Sequence, residues 1–384
     1  MKVRASLNVP GTMSRICAKA NTISPAAASK ISAMIAAKRN RATKCRWFLA
    51  SISFALAIGF ISYLVEAGET LARVQTRRML RCGVSDGRLG FSYRDAQGRW
   101  SGLDVDFCRA VAAAVIGDGA KVKFFPLVTT ARFLALRSNE IDLLARNTTW
   151  TIGREAGLGV HFVGTLYYDG QGFMVARKSR VRKIADLQGA KICVLQKTTT
   201  EEHLADYFNS RGWNYQPVLA NSMEEASKAF FAGQCSAYTG DRSNLAAVSL
   251  SAPTGREGYL ILSELISKEP LGPAIKRGDE EWLTVLRWVL FALIEAEEQG
   301  VTSKNIRAKA QSKDPELVKF LDNQGTFAKL LGAKPGWIAR ILEAVGNYGE
   351  MFERNLGQGS ALKLNRGPNR LWIDGGLMYA PPFL

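Results

Sequence analysis

The feature that most constrains this chain is a repeated grammar: a short apolar strand, a turn crowded with hydroxyls, then a helix. It occurs at Ile141-Asp-Leu-Leu-Ala145 followed by Arg146-Asn-Thr-Thr-Trp-Thr-Ile-Gly-Arg154. It returns at Lys191-Ile-Cys-Val-Leu195 followed by Gln196-Lys-Thr-Thr-Thr-Glu201. A turn of this kind opens a helix whose first N–H groups have no intrahelical partner and so suit an anion. The first turn adds an arginine, whose guanidinium forks onto a carboxylate through two parallel hydrogen bonds. Two such turns in consecutive α/β units predict one small acidic ligand gripped from two sides. That is the pattern of a binding protein more than of an enzyme.

The flanking sequence extends the grammar into two lobes. From Met79 it reads as strand (Leu80–Val84), helix (Asp104–Ile116, apolar at Val105, Cys108, Ala112 and Val115), strand (Lys121–Val128), helix (Thr130–Ser138) and strand. Leu166–Val175 reads as one strand whose glycines sit where the backbone passes between bodies. A second lobe follows, with strands at Lys191–Leu195, Gln216–Ala220 and Cys235–Thr239, the last ending at Asp241, and helices at Glu201–Ser210 and Met223–Ala232. Past Leu262 the chain returns through Lys268–Pro273 to an apolar helix, Trp282–Glu297, and a Gly- and Pro-rich end. The expected domains are lobe one at 78–170 plus 266–384, with a C-terminal extension, and lobe two at 171–265. Such a pair holds its ligand between the carboxyl ends of the strands.

The net charge of +17 invites a nucleic-acid reading, but its distribution argues against one. Residues 1–66 hold 10 Lys/Arg against Glu66 alone, and the remaining 41 Lys/Arg are interspersed with 33 acids. No basic block interleaved with aromatics occurs there, so no nucleic-acid partner is expected. Residues 1–67 read as a leader. A basic run, Lys38–Arg46, precedes 19 uncharged residues at 47–65 and a small-residue site at Val65-Glu-Ala67. The order is that of a secretory signal, while the length approaches that of a spanning helix, so a cleaved signal and an uncleaved anchor both stand. Met34 is the more natural start. Either way, residues after 67 lie outside the cytoplasm, in the periplasm.

Cys17 and Cys45 belong to the leader, leaving Cys82, Cys108, Cys193 and Cys235 in an oxidising compartment. Four cysteines allow three pairings. The order of the α/β units favours Cys82–Cys108 and Cys193–Cys235, against the alternative of four buried thiols. With no C-x-x-C and only His161 and His203, no metal site and no cofactor are expected.

At these residues the chain resembles the periplasmic polar amino-acid-binding proteins of ABC transporters, and within them the general L-amino-acid-binding branch. The motifs are Gly102-Leu-Asp-Val-Asp-Phe-Cys108, Arg146-Asn-Thr-Thr-Trp-Thr151, Tyr167-Tyr-Asp-Gly-Gln-Gly-Phe-Met174, Ser267-Lys-Glu-Pro-Leu-Gly-Pro273, Val345–Asn355 and Met378-Tyr-Ala-Pro-Pro382. The resemblance spans about residues 78 to 383. It implies an α/β, two-lobed type II periplasmic binding protein fold with a hinge. It also implies a monomeric receptor that delivers L-amino acids to an inner-membrane ABC permease. Carried over by position, it assigns the ligand's α-carboxylate to Arg154, aided by Asn147, Thr149, Thr198 and Thr199, and its α-ammonium to Asp241.

Each assignment has a plainer counterpart. Asp241 would equally cap the helix that starts at Arg242, and Thr198 a helix N-terminus. Trp150 serves as well in a core as in a ligand wall, and Asp104 and Asp106 suit the start of a helix. The loop Ser85-Asp-Gly-Arg-Leu-Gly-Phe91 departs from the branch's Asn-Thr-Gly-Leu-Ala-Gly-Phe, adding Asp86 and Arg88 at the cleft mouth. Asp86 would favour cationic side chains; Arg88, or Lys197 in place of a glycine, acidic ones. A lysine there costs on the order of 1 kcal/mol if the position needs a positive φ. The alternative function is a tethered sensor or a binding protein with an altered ligand. An enzyme is disfavoured, because no general base or nucleophile pairing is evident.

Overall fold

The computed structural model describes residues 69–384; the expected leader and its Cys17 and Cys45 lie outside the described residues. Two mixed sheets organise the chain. In the first, β1 (Leu80–Ser85) lies parallel between β4 (Val122–Leu127) and β5 (Leu143–Thr149), and β13 (Glu269–Lys276) runs antiparallel beside β5. The edge strands β6 (Val160–Phe162) and β7 (Tyr167–Asp169) both pair with β13. A two-stranded ribbon, β2 (Tyr93–Arg94) and β3 (Trp100–Ser101), stands apart. In the second sheet the parallel trio β10 (Gln216–Ala220), β9 (Lys191–Leu195) and β11 (Ala237–Asp241) continues into antiparallel β8 (Gln171–Ala176) and β12 (Tyr259–Ile261).

Helices cover both sheets. In chain order they include α1 (Glu69–Arg77), α2 (Leu103–Val115), α3 (Arg132–Arg137), α4 (Ile152–Gly157), α5 (Thr199–Asn209), α6 (Met223–Phe231), α7 (Arg242–Leu250) and α8 (Glu280–Glu298). The run of Ala, Val and Leu that makes α2 helical also makes it apolar nearly all round. It is accordingly buried along almost its whole length. Apolar residues of α2 and α8, with Trp337, Ile341 and Phe352 from the C-terminal helices, form the core of lobe one. A smaller core around Phe173, Ile192 and Phe208 serves lobe two. Two disulfides, Cys82–Cys108 and Cys193–Cys235, span Cα separations of 6.4 and 5.6 Å. Among the described residues no helix is long and apolar enough to cross a membrane.

The stretch Leu166–Val175 is not the single strand that its composition predicts. It breaks at Gly170, so that β7 belongs to the first sheet and β8 to the second. The reason is a close crossing: a Cβ on Gly170 would meet Leu265 at 2.8 Å and the Ser267 carbonyl at 3.0 Å, on the returning segment. The C-terminal segment braces this crossing. Asn369 accepts from the Tyr168 N–H at 2.6 Å and donates to its carbonyl at 3.0 Å.

Candidate ligand-binding site

The carboxyl ends of the two sheets face each other across a cleft that encloses about 90 Å³. The apolar run predicts a strand that ends at Ala145, before Arg146. In the structure β5 runs on through Thr149, so that Arg146–Thr149 are the end of the strand and Thr151 caps α4, accepting from the Arg154 N–H at 3.2 Å. On the other side Thr198 caps α5. Its hydroxyl accepts from the Glu201 N–H at 3.4 Å and donates to the Leu195 carbonyl at 2.6 Å. The α5 N-terminus therefore meets the cleft with its leading N–H groups, while the Thr198 hydroxyl is already used.

All of Asp86, Arg88, Asn147, Thr149, Arg154, Thr198, Thr199 and Asp241 line this cleft. Their side chains do different things there. Arg154, half-buried at the cleft, donates one bond to the Thr149 carbonyl at 2.7 Å. Burial lowers its pKa, because nothing in direct contact compensates its charge. The hydroxyls of Thr149 and Thr199 both donate to Glu269, at 2.6 and 3.2 Å. Asp86 is half exposed and stands 3.9 Å from Arg146. Asp241 occupies the N-cap position of α7 without capping it, and its carboxylate lies 2.7 Å from the Arg88 guanidinium instead. Burial opposes the charge on Arg88, but Asp241 outweighs it and the pKa rises.

Asn147 sits at a φ of +34°, with its N–H donated at 2.9 Å to Asp104. Asp104 thus supports the cleft from behind, and burial pushes its carboxyl up to about 7. With its amide oxygen toward Arg88, Asn147 accepts from Nε at 2.9 Å while its nitrogen reaches the Arg146 carbonyl. Lys197, at a φ of +59°, is in the left-handed region. Trp150 stacks on Phe162 with ring centroids 5.6 Å apart, on the core side of the strand.

Three contributors went unread in the sequence. Arg132, on α3, is 5 % exposed, and its Nε has no hydrogen-bond partner among the described residues. Burial, then the neighbouring Arg154 and Arg146, drive its pKa well down. Glu269, fully buried, also accepts from Ser267 at 2.6 Å and pairs with His203 at 2.9 Å, so one carboxylate joins both lobes. Asp169 lies near Asp241 and is pushed up to about 7, chiefly by burial and then by that charge. Counting lining side chains, four arginines (88, 132, 146 and 154) face two aspartates (86 and 241). Arg146 is pushed down to about 10 by its burial. A cleft holding buried, under-compensated cations is built for an anion. Among the described residues no cluster of His, Cys, Asp and Glu is placed to hold a metal ion.

Residues 80–321 match the model of the bacterial extracellular solute-binding proteins, family 3. The chain is 46% identical over 337 residues to the general L-amino acid-binding periplasmic protein AapJ of Rhizobium johnstonii, covering 87% of this chain and 98% of that one. It is 45% identical over 318 residues to the glutamate/glutamine/aspartate/asparagine-binding protein BztA of Rhodobacter capsulatus, covering 83% and 94%. Among solved structures it superposes with a TM-score of 0.80 on an ABC transporter/periplasmic binding protein from Brucella ovis with glutathione bound, at 46% identity, covering 82% of this chain and 99% of that one. Fold, cleft and sequence agree, and the chain belongs to the bacterial extracellular solute-binding proteins of family 3.

Proposed function

We propose that this protein is a periplasmic receptor that captures amino acids and their close carboxylate kin between its lobes and hands them to an inner-membrane ABC permease. It acts as a monomer and performs no chemistry on its cargo. One observation carries this reading: Arg132, buried, and Arg154, half-buried, line a single cleft with guanidiniums that form no ion pair among the described residues. Arg154, beside the leading N–H groups of α5, takes the carboxylate common to all amino acids. Arg132 takes a second carboxylate, so acidic ligands are preferred to neutral ones. The names of the relatives, one general for L-amino acids and one covering glutamate and aspartate, support the same class. Binding from both lobes couples occupancy to closure, and the closed surface is what a permease would read.

The test is a thermal-shift panel of L-amino acids, selected D-isomers and short dicarboxylates on the purified protein. Saturating micromolar ligand stabilises by roughly 2–4 kcal/mol, a readily measured shift. Stabilisation led by acidic ligands supports the receptor reading; silence from a folded protein across the panel refutes it.

A further inference from the structure

We propose that Arg88 takes the seat of the ligand's ammonium group at Asp241, so that this receptor selects dicarboxylates lacking a cationic amine. These are simple diacids or acidic amino acids whose nitrogen is acylated. The inference rests on the cleft being the binding site, as proposed above, and narrows the class of ligand it takes.

Asp241 is the one lobe-two carboxylate that lines the cleft, and so the natural partner for a ligand's ammonium. Arg88 already pairs with it across the lobes at 2.7 Å, both side chains being about nine-tenths buried. Three features hold Arg88 in place from lobe one. Its guanidinium lies 5.2 Å from the Phe91 ring centroid, its Nε donates to Asn147 at 2.9 Å, and its backbone N–H donates to the Ser92 carbonyl at 2.7 Å. Asn147 is in turn fixed by Asp104. The arginine is therefore a built part of the cleft wall, not a surface side chain that has swung inward.

Charge decides between ligand classes. With Arg88 on Asp241 and Arg146 facing Asp86, the guanidiniums of Arg132 and Arg154 remain uncompensated. An amine-free diacid brings two negative charges and neutralises them. A zwitterionic acidic amino acid brings one net negative charge and adds an ammonium that must share Asp241 with Arg88. Two cations on one buried carboxylate repel each other, and the surplus charge is left in a poorly solvated cleft. Acylating the nitrogen removes that conflict and leaves an amide that bonds as a neutral group.

The experiment is calorimetric titration of the full-length protein with L-glutamate, N-acetyl-L-glutamate and glutarate, repeated on Arg88→Leu. The wild-type chain is expected to bind both amine-free ligands at least tenfold more tightly than glutamate. Their relative order distinguishes an acylated amino acid from a plain diacid. In Arg88→Leu the preference reverses, because Asp241 then needs a cation. Should the variant not fold, the wild-type order alone decides. Tighter binding of glutamate than of both others overturns the role of Arg88 while leaving the receptor reading intact. Binding of none of the three by folded protein overturns both.

Discussion

Thr199, at the head of α5 in lobe two, donates its hydroxyl at 3.2 Å to Glu269, the first residue of a lobe-one strand. The same carboxylate takes bonds from Thr149, Ser267 and His203, so its negative charge is what lets the lobes meet at this point. Glutamine would keep the shape and put an NH₂ group among donors. Glu269→Gln is therefore expected to lower stability by about 1–3 kcal/mol, the cost of leaving buried donors and acceptors mismatched. Urea denaturation checks this, and an unchanged midpoint would show that the contact contributes nothing.

The two uncompensated arginines separate by ligand. Arg154→Ala should weaken every carboxylate ligand, by about 3 kcal/mol or more, since a charge-assisted pair in a dry cleft is lost. Arg132→Leu should spare monocarboxylates and weaken diacids by roughly 2–3 kcal/mol. It should also stabilise the ligand-free protein by about 1–2 kcal/mol, because an unpaired buried cation is replaced by an apolar group. Calorimetry on the two variants, with melts in the absence of ligand, tests both halves. A destabilised Arg132→Leu would mean that the stacking of this guanidinium over Phe133, 4.8 Å from the ring centroid, outweighs the cost of its buried charge.

How these side chains came to be read or missed follows from what a sequence displays. The strands beginning at Leu80, Leu143 and Lys191 announce themselves by short apolar runs, and the turns after them by hydroxyls. The cleft edges were therefore legible before the fold was known. Arg132 was not. In Ala131-Arg-Phe-Leu-Ala-Leu136 an arginine reads as the solvent face of a short helix, and only the packing of α3 against β1, β5 and β13 at the cleft makes it buried. Glu269 gave a fainter sign, a lone acid opening an otherwise apolar strand. The pairing of Arg88 with Asp241 was beyond reach, since the two lie 153 residues apart and meet only across closed lobes.

Lys197 carries a strain that has no use in its contacts. Its φ of +59° places it in the left-handed region, while its backbone N–H donates at 2.6 Å to Glu201, a bond that any residue can make. Glycine removes a steric cost of roughly 1–2 kcal/mol and restores unfolded-state entropy worth about half of that. Lys197→Gly should thus stabilise by up to about 1 kcal/mol without altering ligand rank order. A loss of stability would mean that the lysine side chain holds the turn.

The last prediction concerns pH. Asp104 has its carboxyl raised from 3.8 to about 7 by burial behind Asn147, and Asp169 is raised to the same region by burial and by Asp241. Between the unfolded and folded values the folded state keeps protons that the unfolded state has released. Stability therefore falls as pH rises through that window, and the loss is complete once pH passes about 7. Each group contributes at most roughly 4 kcal/mol over the full window. Urea midpoints of the ligand-free protein should accordingly decline from pH 5 to pH 8. Asp104→Asn keeps an acceptor for the Asn147 N–H and cannot ionise, so it should flatten much of that decline. An equally steep decline in the variant would assign the effect to Asp169, and a rise in stability over this range would refute the raised carboxyls altogether.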